Sequence, residues 1–159
     1  AGAAVISTDT AGTIVSFNPE AEKLTGYAAA ELVGIQTPAV FHLPHEVNAR
    51  AAELGIDPGF EVFIHPLLQR KSHTAEWTYV SKSGHHVPVL LTVSALRDES
   101  DGITGYLGIA RDISERKAFE AQLEHVVQVM RGQCQPIVGG KDSLAHMGLI
   151  DEIYRMAGD

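Results

Sequence analysis

The order of strand and helix signals constrains this chain most. Two β-rich runs come first, a long helix- and turn-rich stretch follows, and three more β-rich runs close the pattern. Ala4–Thr8 and Thr13–Phe17 flank Asp9-Thr10-Ala11-Gly12, a hairpin signal. Thr74–Val80, Val87–Leu96 and Ile103–Arg111 are divided by the turns Ser81-Lys82-Ser83-Gly84 and Glu99-Ser100-Asp101-Gly102. Short turns of this kind join antiparallel neighbours. The chain is therefore expected to be α+β, a five-stranded antiparallel sheet with helices inserted between strands two and three and covering one face.

The inserted stretch has its own punctuation. Asn18 is a helix cap, Pro19 fills the first helical position where no amide hydrogen is needed, and Gly26 stops the helix after Thr25. A second short helix spans about Ala28–Val33. A third starts at Pro44 and carries Val47, Ala51 and Leu54 at helical spacing, until 55–59 breaks it. Phe60–Leu68 is apolar without a clear period, and Pro66 argues against a long helix there. Beyond the last strand, Asp112 and Glu115 have capping-box spacing. Phe119, Leu123, Val126 and Met130 then recur in steps of four, three and four, a heptad seam that would serve a homodimer. Gly132 ends this helix. A loop follows, then a final helix with the stripe Leu144, Met147, Ile150, Ile153 and Tyr154. The organisation expected is a domain over 1–112, an exit helix over 113–131, and a loop with a terminal helix over 132–159.

Composition excludes several function classes. The net charge is -8 and no window is dense in Lys and Arg, so a phosphate-neutralising nucleic-acid face is not expected. No apolar run approaches a membrane span and no leader pattern opens the chain, which points to the cytoplasm. The one cysteine, Cys134, rules out an internal disulfide. Opening on Ala1 rather than Met, the chain reads as an excised piece of a longer protein.

Three segments resemble the PAS family of sensory domains over about residues 3–125. The first is Phe17-Asn18-Pro19-Glu20-Ala21-Glu22-Lys23-Leu24-Thr25-Gly26-Tyr27. The second is Glu76–Gly84 with His86-Val87-Pro88-Val89, where Ser83 replaces the more usual Asp. The third runs from Ile103 through Arg111-Asp112-Ile113-Ser114 to Lys117. The resemblance implies signal detection rather than catalysis, with a histidine kinase or diguanylate cyclase as the output module of the parent protein. Asp112, Ser114 and Arg111 match the family's coupling motif between last strand and exit helix. The tail, about 123–157, weakly resembles the C-terminal end of Gfo/Idh/MocA-type NAD(P)-dependent sugar oxidoreductases, which would make the chain a fusion. No Gly-rich strand-to-helix turn is present to hold a dinucleotide, so oxidoreductase activity is not expected.

Alternation puts Ala75, Trp77 and Tyr79 on one face with Val89, Leu91 and Val93. Of these, Trp77, Tyr79, Val89, Leu91 and Val93 are the ligand-pocket candidates, together with Val47, Ala51 and Leu54 from the third helix and the small Gly108. The same residues are equally readable as filled core. The resemblance narrows the cofactor. A flavin adduct needs a cysteine inside the domain, and haem-binding relatives carry a histidine where Ala49 stands here, which leaves a non-covalent small molecule or none. The eight histidines, His42 and His45 among them, show no i, i+4 pair with a nearby carboxylate, so no metal site is expected. His125 lacks the acidic neighbour and later proline of a phosphorylated histidine. No nucleophile elbow exists, and no catalytic residue is assigned. The alternative reading is a ligand-free interaction domain in which sheet and exit helix serve only dimerisation.

Overall fold

Asn18 ends one strand and starts one helix. In the computed structural model, which describes residues 2–132, its Oδ1 accepts from the amides of Ala21 and Val5, each at 2.9 Å. Its amide group donates to the Ala3 carbonyl at 3.1 Å. One side chain thus caps α1 (Pro19–Thr25) and ties it to β1 (Ala4–Thr8), at the end of β2 (Ile14–Phe17). Gly26 closes α1 with φ 75°, a left-handed conformation that suits glycine.

The remaining elements are α2 (Ala29–Leu32), a 3-10 turn (Pro38–Phe41), α3 (Pro44–Leu54), α4 (Glu61–Ile64), a second 3-10 turn (His65–Leu68), β3 (Ser72–Val80), β4 (His86–Arg97), β5 (Ile103–Asp112) and α5 (Ser114–Met130). The strands form one sheet in the order β2-β1-β5-β4-β3, and every adjacent pair is antiparallel. All of α1 to α4 lies between β2 and β3, as the strand order predicts. β3 and β4 run longer than their apolar patterns, because Ser72 still pairs with Ser94 and backbone bonding needs no apolar side chain. Phe60–Leu68 resolves into α4 and a 3-10 turn, with Pro66 in the opening of that turn, where its missing N–H breaks no helical bond.

The core lies on one face of the sheet. Ile6, Trp77, Tyr79, Val89, Leu91, Val93 and Ala110 are buried there, with Phe41, Val47, Ala51, Val62 and Phe63 from the connecting segments in the same cluster. β3 is an edge strand, and its outer side is closed by a carboxylate. Glu46 of α3 accepts from the Thr78 amide at 2.7 Å and from its hydroxyl at 2.9 Å, while His42 forms a β-bridge with Tyr79. Glu46→Ala should cost about 1.5–3 kcal/mol, since it removes two hydrogen bonds to a charged acceptor. The urea midpoint at unchanged m-value measures this, and Glu46→Gln should recover part of the loss.

The capping box at the exit helix is corrected. α5 opens at Ser114, so Glu115 is the second helical residue rather than the third. Asp112 still caps, but from the last position of β5. Its Oδ1 accepts from the Ser114 amide at 2.8 Å and from the Ser114 hydroxyl. Strand character persists one residue further than expected because Ile113 donates its amide to the Pro88 carbonyl at 3.0 Å and buries its side chain. The chain divides into two compact units after Ser114. Within α5 no residue is fully buried, and the seam residues Phe119 and Met130 are exposed while Leu123 and Val126 are half-buried. No helix among the described residues is long and apolar enough to cross a membrane. The terminal stripe, Cys134, His146 and most of the oxidoreductase-like tail lie outside the described residues.

Candidate functional site

Direct cross-strand partners share a face, so the register of β4 and β5 decides what lines the inner side of the sheet. Val93 is opposite Gly108 and Leu91 opposite Ala110. Alternation that is hard to read in Ile103–Asp112 is thereby settled, with Tyr106, Gly108 and Ala110 turned inward. Gly108 leaves a shallow spot, since a Cβ there would meet Leu91 Cδ1 at 3.4 Å. Above it is a cavity of about 40 Å³. Tyr79, Leu91, Val93 and Gly108 supply its sheet wall, and Phe41, His42, Phe60 and Phe63 close much of the other side.

Four of the nine pocket candidates, Tyr79, Leu91, Val93 and Gly108, therefore line this cavity. Val47, Ala51, Trp77 and Val89 belong to the packed core instead, and Leu54 packs half-buried against it. The wall facing the sheet comes from the 3-10 turn after Thr37 and from α4 rather than from α3. Those short, non-periodic segments leave no helical stripe in the sequence, whereas α3 carries one in Val47, Ala51 and Leu54, which is why the pattern points to α3.

His42 is the residue that sequence reasoning passed over. It is 4% exposed and enclosed by rings, with centroids of Phe63 at 4.4 Å, Tyr79 at 4.8 Å, Trp77 at 5.4 Å and Phe41 at 5.5 Å. Burial without a counter-charge pushes its pKa down from 6.5 to about 3, so the ring is neutral at ordinary pH. The same burial pushes the Tyr79 phenol up. His42 Nδ1 has no hydrogen-bond partner among the described residues. The available signal was local: His42 is preceded by the apolar run Pro38-Ala39-Val40-Phe41 and followed by Leu43, a poor setting for a solvated histidine.

The coupling candidates stand at the far end of the same strands. Arg111 and Asp112 are exposed at the end of β5, opposite Leu90 and Val89 of β4, and Ser114 begins α5. No group of three or more His, Cys, Asp or Glu side chains among the described residues is placed to hold a metal ion.

This sheet order and the inserted helices agree with a family comparison, in which the model of the PAS domain matches residues 2–115. The chain belongs to the PAS domain family. No curated protein sequence matches it. Among solved structures, it is similar to the PAS domain of a protein from Colwellia psychrerythraea, with 26% identity and a TM-score of 0.60 over 71% of this chain and 87% of that one. An RNA-binding light-oxygen-voltage receptor is similar at 27% identity and a TM-score of 0.59, over 80% of this chain but only 34% of the receptor. A sensory box histidine kinase/response regulator from Burkholderia thailandensis E264 shares the fold at 19% identity and a TM-score of 0.56, over 81% of this chain and 90% of that one.

Light-oxygen-voltage relatives raise the question of a flavin, and this PAS domain does not fit one. A cavity of about 40 Å³ is far below the roughly 300–1,000 Å³ of pockets for cofactor-sized ligands. Beside the cavity the rings of His42, Phe63 and Trp77 pack on one another, with Phe63 4.4 Å from His42 and 4.8 Å from Trp77 between ring centroids. The only cysteine, Cys134, is outside the family-matched residues, so a cysteinyl adduct inside the domain has no donor.

Proposed function

We propose that this PAS domain is a sensory module that detects a small molecule in its cavity and relays its occupancy through α5 to an output domain of the parent protein. One observation carries the reading. β4 and β5 line the cavity with Leu91, Val93 and Gly108, and the same two strands hold the start of α5 through the Pro88 carbonyl and the Asp112 carboxylate. A shift in the packing of these strands is thus a shift in the anchor of the helix. A ligand moves such an equilibrium only as far as it prefers one state. A cytoplasmic setting, and a histidine kinase or diguanylate cyclase as output, fit the reading. A homodimer joined along Phe119, Leu123, Val126 and Met130 completes it.

Asp112→Ala tests the anchor. The domain should stay folded, with a loss of about 1 kcal/mol as for other lost caps. Amide hydrogen exchange over 113–123 should speed up while exchange in β1 to β5 stays unchanged. Equal protection of 113–123 in both proteins would remove the anchor from the account.

A second reading has its own support. Exposed apolar side chains at Phe119 and Met130 also suit a ligand-free domain that serves only self-association. Native mass spectrometry of the purified chain separates the two. Extra non-covalent mass supports the sensor, whereas a dimer at bare sequence mass that also takes up no added small molecule supports the interaction domain.

A further inference from the structure

Acids outnumber Lys and Arg in this chain by 20 to 12, so a place where cations prevail needs a reason. The described residues hold one, at the end of the sheet away from the start of α5. There the second 3-10 turn and the residues after it meet the β4–β5 hairpin. Arg70, Lys71 and Arg97 line an open groove of about 590 Å³, with Asp101 as its one carboxylate. Arg97 donates to the Asp101 carbonyl at 2.8 Å and lies 3.8 Å from the Asp101 carboxylate. Asp98 is spent on its own turn, where it accepts from the amides of Ser100 and Gly102 at 2.9 Å each. Arg70 and Lys71 are exposed and enter no ion pair among the described residues. His73, at the start of β3, feels the same field. Desolvation first, and then the charges of Arg70 and Arg50, lower its pKa.

Exposed apolar surface adjoins these cations. Leu67 and Leu68 line this groove and also a second one of about 230 Å³, which Ile64, Ile103 and Tyr106 complete with Glu61 and His65 as its polar members. Leu68 is 78% exposed and Ile103 41%. Clustered apolar side chains with a charged margin mark a contact surface. Concave grooves suit a chain segment better than a flat bilayer. Aliphatic walls suit a peptide better than a nucleic acid, whose affinity comes mainly from its phosphates.

We propose that these two grooves dock an acidic peptide segment of a partner protein, its aliphatic side chains on Leu67, Leu68 and Ile103 and its carboxylates on Arg70, Lys71 and Arg97. The proposal does not depend on occupancy of the cavity. Ile103 and Asp112 are the two ends of the ten-residue strand β5, about 30 Å apart, so an occupant here leaves the start of α5 free.

The test titrates the full chain into a dye-labelled peptide that repeats Leu-Leu-Glu-Glu, with fluorescence anisotropy giving the affinity and ¹⁵N amide shifts giving the place. Binding should saturate and shift the amides of Leu67–Lys71, Ala95–Arg97 and Ile103. The double variant Arg70→Glu, Lys71→Glu should bind at least about tenfold more weakly, and added salt should weaken the natural chain's binding. Leu68→Ser should cost at least about threefold, as expected when part of an aliphatic side chain is no longer covered. All three side chains are exposed, so both variants should keep the urea midpoint of the natural chain within a few tenths of a molar. No saturable binding, or equal affinity in the charge-reversed variant, would overturn the site. A Ser-Ser-Glu-Glu peptide that binds as tightly would overturn the apolar half of the recognition. Tighter binding of oligo(dT) or of anionic phospholipid vesicles through the same residues would overturn the assignment to a peptide. None of these results bears on the sensor reading.

Discussion

Acidification from about pH 7 to about pH 4.5 should cost this domain about 2.5 kcal/mol through His42 alone. Unfolded, the imidazole titrates near its ordinary 6.5; folded, it stays neutral down to about 3. Between those values the unfolded chain binds a proton that the native chain refuses. The contribution is therefore whole above 6.5 and is lost as pH falls towards 3, at about 1.4 kcal/mol per pH unit in the steep region. The rings packed on His42 add only one titratable group, Tyr79, which burial holds neutral and which plays no part in acid. His73 works in the same direction to a smaller extent, since partial desolvation and the nearby Arg70 and Arg50 lower its pKa. Urea midpoints across this pH range, in the natural chain and in His42→Phe, check the claim. The variant should lose most of the acid slope. Equal slopes in the two proteins would show that His42 is not buried as described.

Gly105→Ala should be the most damaging small substitution in the sheet. A Cβ at residue 105 would lie 2.1 Å from the Thr8 carbonyl oxygen and 3.5 Å from the Asp9 Cα. Both are backbone atoms held by the β1–β5 pairing and the Asp9 turn, so no rotamer change relieves the clash. The strands must part locally or the turn must shift, and a cost of about 3 kcal/mol is expected. Gly108→Ala, three residues on, meets Leu91 Cδ1 at 3.4 Å and the Ile6 carbonyl oxygen at 3.7 Å, both ordinary contact distances, and should be close to neutral. Thermal or urea unfolding of the two variants side by side measures the contrast. Similar stabilities would mean that β1 and β5 do not approach as closely as the structure shows.

Much of this fold was legible because its signals are local. Asn18-Pro19 and Gly26 fix α1 to the residue, and Ala4–Thr8 is a strand by composition and by structure. Antiparallel pairing of β3, β4 and β5 follows from their short turns. The cavity was only half legible, for a physical reason. Its sheet wall obeys a period of two, so Tyr79, Leu91 and Val93 can be found by counting. Its opposite wall is built from a 3-10 turn and a single helical turn, Pro38–Phe41 and Glu61–Ile64, which are too short to show a period. His42 is harder still, because burial of a histidine depends on rings brought from β3 and α4, far along the chain. The exit helix and its Asp112 cap were legible, but the helix starts one residue later than the capping-box spacing implies. Whether strand or helix claims Ile113 is decided by a bond to Pro88 in another strand, which the local sequence does not reveal.

The central claim is that packing at the cavity reaches the exit helix through β4 and β5. Gly108→Val tests it, because it fills the cavity floor beside Leu91 without touching Asp112 or Ser114. The measurement is amide hydrogen exchange over 113–123 in this variant and in the natural chain, under conditions where both are folded. Protection at the start of α5 should differ between the two, and the difference should vanish when both carry Asp112→Ala. Identical protection of 113–123 in a folded Gly108→Val protein would contradict the relay and leave the domain as a fold without a demonstrated path from cavity to helix.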